Sequence, residues 1–268
     1  TKVSVFLRDI ARSDFLIVNI IKNSIKFFLN KVGYDIVLMG KIPAYIVDKQ
    51  VRKIIQEVNP YTKVGSLNLY NLIGAIKYIV KNQIPGDVVE CGVWKGGCMM
   101  AAAKALNLYQ DDSRTLFLYD TFEGMSSPTN HDVSVFGGDI SEMMRNTKKS
   151  AMSIHCYVPL EEVESNMGKT NYDKNKIKYI KGKVEDTLHS DNIPEKISLL
   201  RLDTDWYEST KVELEKLWPR LSVGGYIIID DYGAFLGCKK AVDEYFEKLQ
   251  FIPFVAVGAP LIGVKIKN

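Results

Sequence analysis

From Gly86 onward, short apolar runs alternate with segments of helical period, and the runs end in polar or acidic residues. Short apolar runs between turn signals predict buried strands, and apolar positions three and four apart predict amphipathic helices. We expect strands at 87–91, 115–120, 176–181, 197–203, 226–230, 252–257 and 261–266, with helices at 97–108, 160–167, 209–219 and 238–249 between them. This alternation predicts a doubly wound, mostly parallel α/β sheet. The last two strands, joined around Gly258-Ala-Pro260, predict a hairpin with one strand antiparallel to the rest.

Residues 1–60 have a different pattern from the rest of the chain. Residues 15–29 have the period of an amphipathic helix, with Lys22 and Lys26 beside the apolar face. We expect a helical arm that packs on the main domain or on a second subunit. A basic helix at a membrane surface is the alternative. A helix at 67–81 follows, within a main domain that we place at 61–268.

Residues 121–159 form the longest stretch without a clear period, and they are rich in Gly, Ser, Asn and Met. A loop of this length inside a compact domain is usually functional or disordered. It follows directly after a predicted strand end, where ligands bind in α/β sheets. We therefore expect residues 121–159 to act as a lid.

Two local signals predict boundaries near the fourth strand. Thr210 and Glu213 have the T-x-x-E spacing of a capping box, which predicts a helix start at this point. The segment Ser222-Val-Gly-Gly225 predicts the turn that leads into the next strand.

The composition restricts the class of protein. The 268 residues are 46% hydrophobic and 25% charged, and the net charge of +3 is too balanced to indicate a nucleic-acid partner. The four cysteines form no C-x-x-C pair, so neither a zinc site nor a disulfide framework is indicated, and a cytoplasmic location is expected. No apolar run reaches the roughly 20 residues of a membrane span, so we expect no stable membrane insertion.

Two apolar runs end abruptly in aspartates. Leu199-Leu-Arg-Leu leads to Asp203 and Asp205, and Tyr226-Ile-Ile-Ile leads to Asp230 and Asp231. If the two strands are neighbours, four carboxylates meet at one rim of the sheet. Such a group needs a cation to offset its repulsion, and oxygen ligands favour a hard divalent ion such as Mg²⁺.

The earlier strand ends indicate a nucleotide-like ligand. The first strand leads into a turn with Glu90 and Gly92, where glycines let the backbone approach a ligand at a helix start. This turn is neither G-x-G-x-x-G nor a P-loop. Asp120, at the end of the second strand, has the spacing of a ribose-binding acid in nicotinamide and S-adenosylmethionine sites. Glu185 or Asp186, after the third strand, can meet an adenine edge.

The motifs E-C-G-V-W-K-G-G, Y-D-T-F-E-G-M, G-K-V-E-D-T-L, L-R-L-D-T-D-W-Y-E-S-T and I-I-D-D-Y-G occur in one order. This order resembles the macrocin-type sugar O-methyltransferases over roughly residues 60–250. The resemblance implies a Rossmann-like class I methyltransferase fold with S-adenosylmethionine and Mg²⁺ as cofactors. It also implies a homo-oligomer, a dimer or larger, and a sugar or glycoside acceptor.

The resemblance also implies residue roles. Asp203, Asp230 and Asp231 match the metal ligands, and Asp205 matches the general base, although the assignment of base and ligand between Asp203 and Asp205 stays open. The cofactor-binding positions are Glu90, Cys91, Gly92, Trp94, Asp120, Thr121, Phe122, Gly182, Asp186 and Asp203. The chain departs from the family pattern at Thr204 and Trp206, beside the expected acceptor pocket, and at Lys183, where the family commonly has Trp.

The leading hypothesis is Mg²⁺-dependent methyl transfer to a sugar or glycoside hydroxyl, in natural-product or surface-glycan biosynthesis. Three alternatives remain at this point. One is an O-methyltransferase for a non-sugar diol such as a catechol. Another is a non-catalytic S-adenosylmethionine-binding domain of a larger glycan-assembly protein. The third, a nicotinamide reductase, is disfavoured because G-x-G-x-x-G is missing. The cytoplasmic protein would be either free or peripheral at the inner membrane face.

Overall fold

The computed structural model describes residues 42–137 and 139–267. The helices are α1 (Lys49–Val58), α2 (Ser66–Lys81), α3 (Gly97–Leu108), α4 (Ile140–Asn146), α5 (Leu160–Met167), α6 (Val184–Thr187), α7 (Tyr207–Leu217) and α8 (Leu236–Leu249). The strands are β1 (Asp87–Cys91), β2 (Leu116–Asp120), β3 (Ile177–Lys181), β4 (Ile197–Leu202), β5 (Leu221–Ile229), β6 (Phe254–Ala256) and β7 (Leu261–Val264). The helix predicted at 15–29 lies outside the described residues.

The strands form one sheet in the order β3-β2-β1-β4-β5-β7-β6. Strands β1 to β5 are mutually parallel, whereas β7 runs antiparallel to both β5 and β6. The prediction of a doubly wound, mostly parallel sheet with a C-terminal hairpin is therefore confirmed. The fold is therefore a Rossmann-like α/β fold.

Each face of the sheet is covered by its own hydrophobic core. On one face, α1, α2 and α3 pack against side chains such as Val88 and Leu199. On the other face, α7 and α8 pack against Val89 and Leu200. Successive side chains along a strand point to opposite faces of the sheet. Consecutive apolar residues of β1 and β4 therefore supply both cores. Helix α1, which lies within the predicted N-terminal arm, belongs to the first core.

The local boundary signals near the fourth strand were wrong. Helix α7 begins at Tyr207, so Thr210 and Glu213 lie inside the helix and form no capping box. The predicted turn at 222–225 belongs to β5. There the pairing register with β4 shifts between Ile197 and Leu199, and Gly224 adopts φ +84°. A register shift of this kind marks a β-bulge or a similar irregularity, and residues typical of turns can occupy such a position within a strand.

The predicted lid is partly ordered secondary structure. It contains α4, which begins at the N-cap Asp139, whose side chain accepts a hydrogen bond from the Glu142 N–H. Within the described ranges, no helix is both long and apolar enough to cross a membrane.

Candidate active site

A cavity of about 420 Å³ lies at the carboxyl ends of the parallel strands. The strand order reverses between β1 and β4. The loops that follow these two strands therefore diverge, and the crevice between them is the usual ligand site of such sheets. Both the glycine-rich turn after β1 and the acidic segment after β4 line this cavity.

The turn after β1 is held close to β4 by a backbone contact that only glycine permits. Gly92 has φ +81°, and a Cβ at this position would lie 1.9 Å from the carbonyl oxygen of Asp203. The Asp203 N–H donates to the carbonyl oxygen of Cys91 at 2.9 Å. The two predicted halves of the site are thus joined through their main chains.

Asp120, the predicted ribose-binding acid, also organises this turn. Its Oδ2 accepts hydrogen bonds from the backbone N–H groups of Val93 at 2.7 Å and Trp94 at 3.1 Å. Its Oδ1 accepts from the Phe122 N–H at 2.7 Å. The carboxylate therefore connects the turns after β1 and β2 at the cavity wall.

Most of the predicted cofactor-binding residues line the cavity. These are Glu90, Gly92, Trp94, Asp120, Thr121, Gly182 and Asp203. The side chains of Cys91 and Phe122 instead belong to the two hydrophobic cores. After β3, Lys183 and Glu185 line the cavity, whereas Asp186 does not. The cofactor-binding roles of all these residues stay predictions.

The pairing register places charged side chains on one face of the sheet. Glu90 of β1 is the direct partner of Arg201 of β4, and Arg201 is the partner of Ile228 of β5. Side chains two residues apart share a face, so Asp203 and Asp230 follow Arg201 and Ile228 on that face. Four charged groups from three adjacent strands therefore meet at the sheet rim.

Arg201 lies at the centre of this group. Its Nη1 donates to Glu90 Oε1 and to Asp203 Oδ2, both at 2.7 Å, and its Nη2 lies 2.9 Å from Asp230 Oδ1. Arg201 is 3% exposed and Glu90 is fully buried. A charged residue inside an otherwise apolar strand requires charged or polar partners. The arginine within Leu199-Leu-Arg-Leu is therefore a sequence signal that could have identified Arg201 as a site residue.

Three aspartates form a group with the dimensions of a cation site. One carboxylate oxygen from each of Asp203, Asp230 and Asp231 lies within 4.8 Å of the others. Asp205 is outside this group, but its backbone N–H donates to Asp231 Oδ2 at 3.1 Å. Asp205 has φ +66°, a left-handed conformation that is strained for a non-glycine residue.

Crowding of carboxyl groups alters their proton affinity. Burial, opposed by Arg201, raises the pKa of Asp203 to about 6. Burial and the neighbouring Asp203 raise the pKa of Asp205 to about 7. Burial and Asp205 hold the pKa of Asp231 well above its usual range. A bound cation would favour the ionised forms and relieve this repulsion.

The lid packs over the acidic half of the cavity. Met125, Ser126, Ile154 and Cys156 of the lid line the cavity wall. The indole N–H of Trp206 donates to the Ser126 carbonyl oxygen at 3.1 Å. Residues of the segment 121–159 therefore border the cavity, and the action of this segment as a lid stays a prediction.

Lys63 is a further cavity residue that the sequence patterns did not identify. It lies in the segment between α1 and α2, and its Nζ donates to Cys156 Sγ at 3.0 Å. The same ammonium group lies 5.2 Å from the ring centre of Trp94. Nothing in the local sequence around Lys63 indicates these contacts, because they join segments far apart in the chain.

The family model of macrocin O-methyltransferase (TylF) matches residues 40–254. The chain belongs to the macrocin O-methyltransferase family. It is therefore an S-adenosylmethionine-dependent O-methyltransferase. This assignment confirms the resemblance seen in the motifs, and it excludes the non-catalytic and nicotinamide alternatives.

Two O-methyltransferases are identical to this chain at about a third of the aligned positions. The chain is 36% identical over 194 residues to the demethyldecarbamoylnovobiocin O-methyltransferase of Streptomyces niveus, covering 71% of this chain and 69% of that protein. It is 30% identical over 195 residues to the mycinamicin III 3''-O-methyltransferase of Micromonospora griseorubida, covering 70% and 71%.

Solved structures agree with the family assignment. The O-methyltransferase NovP matches with a TM-score of 0.67 at 28% identity, over 77% of this chain and 83% of that chain. The calicheamicin methyltransferase CalS11 matches with a TM-score of 0.55 at 15% identity, over 86% and 99%. The second match concerns the fold alone.

Proposed function

We propose that this enzyme transfers the methyl group of S-adenosylmethionine to a hydroxyl group of a sugar or glycoside with the assistance of Mg²⁺. The observation that carries the proposal is the junction at Gly92 and Asp203, which places the glycine-rich turn and the three-aspartate group in one cavity. Methyl transfer requires the donor carbon and the acceptor oxygen to be adjacent and in line, so a shared cavity is the geometry that it needs.

The three aspartates fit a magnesium ion by their chemistry. Asp203, Asp230 and Asp231 offer only hard oxygen donors from a group within 4.8 Å, and Mg²⁺ is bound by such ligands together with water or substrate oxygens. Burial and neighbouring carboxylates raise the pKa of Asp203 and of Asp231, and a nearby cation would favour the ionised forms of these two groups. When bound, the ion would lower the pKa of a neighbouring hydroxyl group.

Asp205 is the residue that we assign as general base. It lines the cavity beside the aspartate group but does not belong to it. Its pKa of about 7, raised by burial and by Asp203, is close to the value at which a base works best near neutral pH. In the proposed reaction, its carboxylate takes the hydroxyl proton of the acceptor as the acceptor oxygen bonds to the methyl carbon. The bond between this carbon and the sulfonium sulfur breaks at the same time, and S-adenosylhomocysteine is the leaving group.

Trp206 and Phe235 are proposed to form the acceptor wall. Both line the cavity, and their rings meet edge to face with centroids 5.3 Å apart. An aromatic surface next to carboxylates suits a sugar, which has an apolar ring face and polar edges. The names of the relatives above give demethyldecarbamoylnovobiocin and the 3'' position of mycinamicin III as their acceptors, which supports a sugar or related hydroxyl group as the acceptor here.

The decisive experiment is methyl transfer from labelled S-adenosylmethionine to a panel of nucleotide sugars, deoxysugar glycosides and catechols. We expect turnover with a sugar acceptor, loss of turnover in EDTA and recovery with MgCl₂. Turnover with catechols alone would favour the non-sugar diol alternative. Turnover that is unchanged in EDTA would contradict the role of Mg²⁺. Light scattering after size-exclusion chromatography would separately test the predicted homo-oligomer.

A further inference from the structure

Arg201 connects the donor half of the cavity with the acidic half. The Nη1 atom donates both to Glu90 Oε1, on the strand that leads into the glycine-rich turn, and to Asp203 Oδ2, each at 2.7 Å. The other terminal nitrogen lies 2.9 Å from Asp230 Oδ1. One guanidinium group therefore contacts a residue of the donor turn and two members of the three-aspartate group.

The surroundings leave this side chain little freedom. Arg201 lies within the all-buried strand β4 and is 3% exposed. Glu90 is the register partner of Arg201 on β1. Asp203 and Asp230 directly follow the ends of β4 and β5, so the sheet itself brings these groups together. A guanidinium is planar and always charged, and its donors point in fixed directions. A shift of one carboxylate is therefore transmitted to the others.

Glu90 is incompletely satisfied where it faces the cavity. Its Oε2 is buried and has no hydrogen-bond partner among the described residues, although Oε1 is bound by Arg201. A buried polar atom without a partner is costly. A donor group of a bound ligand would satisfy this atom and would hold the Glu90 carboxylate in one position.

We propose that Arg201 is a positioning residue that couples occupancy of the donor site to affinity for the divalent ion. The proposal rests on the magnesium site assigned above. When the donor site is filled, Glu90 is held in place, Arg201 is fixed by Glu90, and Asp203 and Asp230 are oriented for the ion. Groups that orient metal ligands affect metal affinity strongly, and coupling between two sites is necessarily reciprocal.

The first test uses the unaltered protein. MgCl₂ is titrated by calorimetry with and without saturating S-adenosylhomocysteine, which fills the donor site without reacting. We expect Mg²⁺ to bind about fivefold more tightly, or better, in the filled protein. Equal affinities in both states would overturn the coupling and leave the magnesium site intact. Absence of Mg²⁺ binding in both states would instead contradict the proposed function.

The second test replaces the planar guanidinium group of Arg201. Arg201→Lys keeps the charge but cannot reach the three carboxylates at once, so we expect Mg²⁺ affinity to fall about 10-fold or more and the effect of S-adenosylhomocysteine to disappear. The matched control is Arg114→Lys. Arg114 is also buried and pairs with Asp111 at 2.7 Å, but it does not line the cavity, so both measurements should remain as in the unaltered protein.

A third variant covers the case in which Arg201→Lys does not fold. Glu90→Gln keeps the size of the side chain and leaves Arg201 on the two aspartates. We expect this variant to bind Mg²⁺ in the absence of S-adenosylhomocysteine but to lose the enhancement by it. An undiminished enhancement in Glu90→Gln, or a normal Mg²⁺ affinity in folded Arg201→Lys, would overturn the proposal.

Discussion

Asp132 of the lid caps α7 at Tyr207, just after the segment that carries Asp203 and Asp205. Its Oδ1 accepts a hydrogen bond from the Tyr207 N–H at 2.7 Å, across 75 residues of sequence. Its Oδ2 accepts from the N–H and the hydroxyl group of Thr129 at 2.7 and 2.8 Å. The N-cap residue of α7, Trp206, supplies no side-chain hydrogen bond to the backbone at the start of the helix. The lid therefore provides the cap that the helix lacks.

Asp132→Ala should loosen the attachment of the lid to the segment that carries Asp203 and Asp205. The lost cap should lower the free energy of unfolding by about 1–2 kcal/mol, and a displaced lid should lower kcat/KM for the acceptor by about 10-fold or more. Affinity for S-adenosylhomocysteine should be unchanged, because Asp132 does not line the cavity. Chemical denaturation, steady-state kinetics and calorimetry measure the three quantities.

The N-cap residue of α4, a helix within the lid, provides the control for this variant. Asp139 caps α4 through the Glu142 N–H at 2.9 Å, and within the described part of the chain its side chain forms no hydrogen bond with the segment that carries Asp203 and Asp205. Asp139→Ala should cost stability of a similar order and leave acceptor kinetics intact. Equal kinetic losses in the two variants would show that the cap on α7 has no special role.

Gly92→Ala should disrupt the junction of the two half-sites. A Cβ at this position would lie 1.9 Å from the Asp203 carbonyl oxygen, and the backbone has φ +81°, so β1 and β4 must separate. We expect a loss of several kcal/mol of stability or loss of S-adenosylhomocysteine binding. Gly74→Ala is the control, since its Cβ would meet no atom within 4 Å in the middle of α2 and should stabilise the protein by about 0.5–1 kcal/mol.

Asp205→Asn and Asp230→Asn should have different consequences. The first removes the proposed base, so kcat should fall by about 10²–10⁴-fold while calorimetry still detects Mg²⁺ binding. The second removes a proposed ligand and should weaken Mg²⁺ binding as well as turnover. If Asp205→Asn retains the original kcat, Asp205 is not the base, and the role passes to another group.

Glu213 should make the stability of the protein decrease with rising pH. It is fully buried, with Oε1 accepting from the Thr204 hydroxyl group at 2.9 Å. Burial raises the pKa of Glu213 well above its ordinary 4.5. The native state therefore binds a proton that the unfolded state releases above pH 4.5. The resulting stability is complete below this value and is lost as the pH rises toward the folded pKa.

Glu213→Gln tests this relationship, because the amide is neutral at every pH. The variant should lose less stability than the unaltered protein as the pH rises, by up to about 1.4 kcal/mol per pH unit. Denaturant unfolding at a series of pH values measures the difference. Glu215→Gln, on the exposed side of the same helix, is the control, and a parallel change in both variants would contradict the assignment to Glu213.

The sequence determined the alternation of strands and helices, the acidic strand ends and the order of motifs. Each of these is local, since burial of a strand and a charge at its end can be read from consecutive residues. For this reason the mostly parallel sheet, the antiparallel hairpin and the family were all predicted correctly. The gathering of Asp203, Asp230 and Asp231 was also expected, because neighbouring parallel strands end at one rim.

The tertiary structure decided which side chains meet within that framework. Glu90 faces Arg201 only through the pairing register of β1 and β4, and Asp132 reaches Tyr207 only after the lid has folded back over the sheet. The same long-range contact replaced the capping box expected at Thr210. Local sequence patterns report burial and backbone preference, whereas these contacts depend on strand register and on packing between segments distant in the chain.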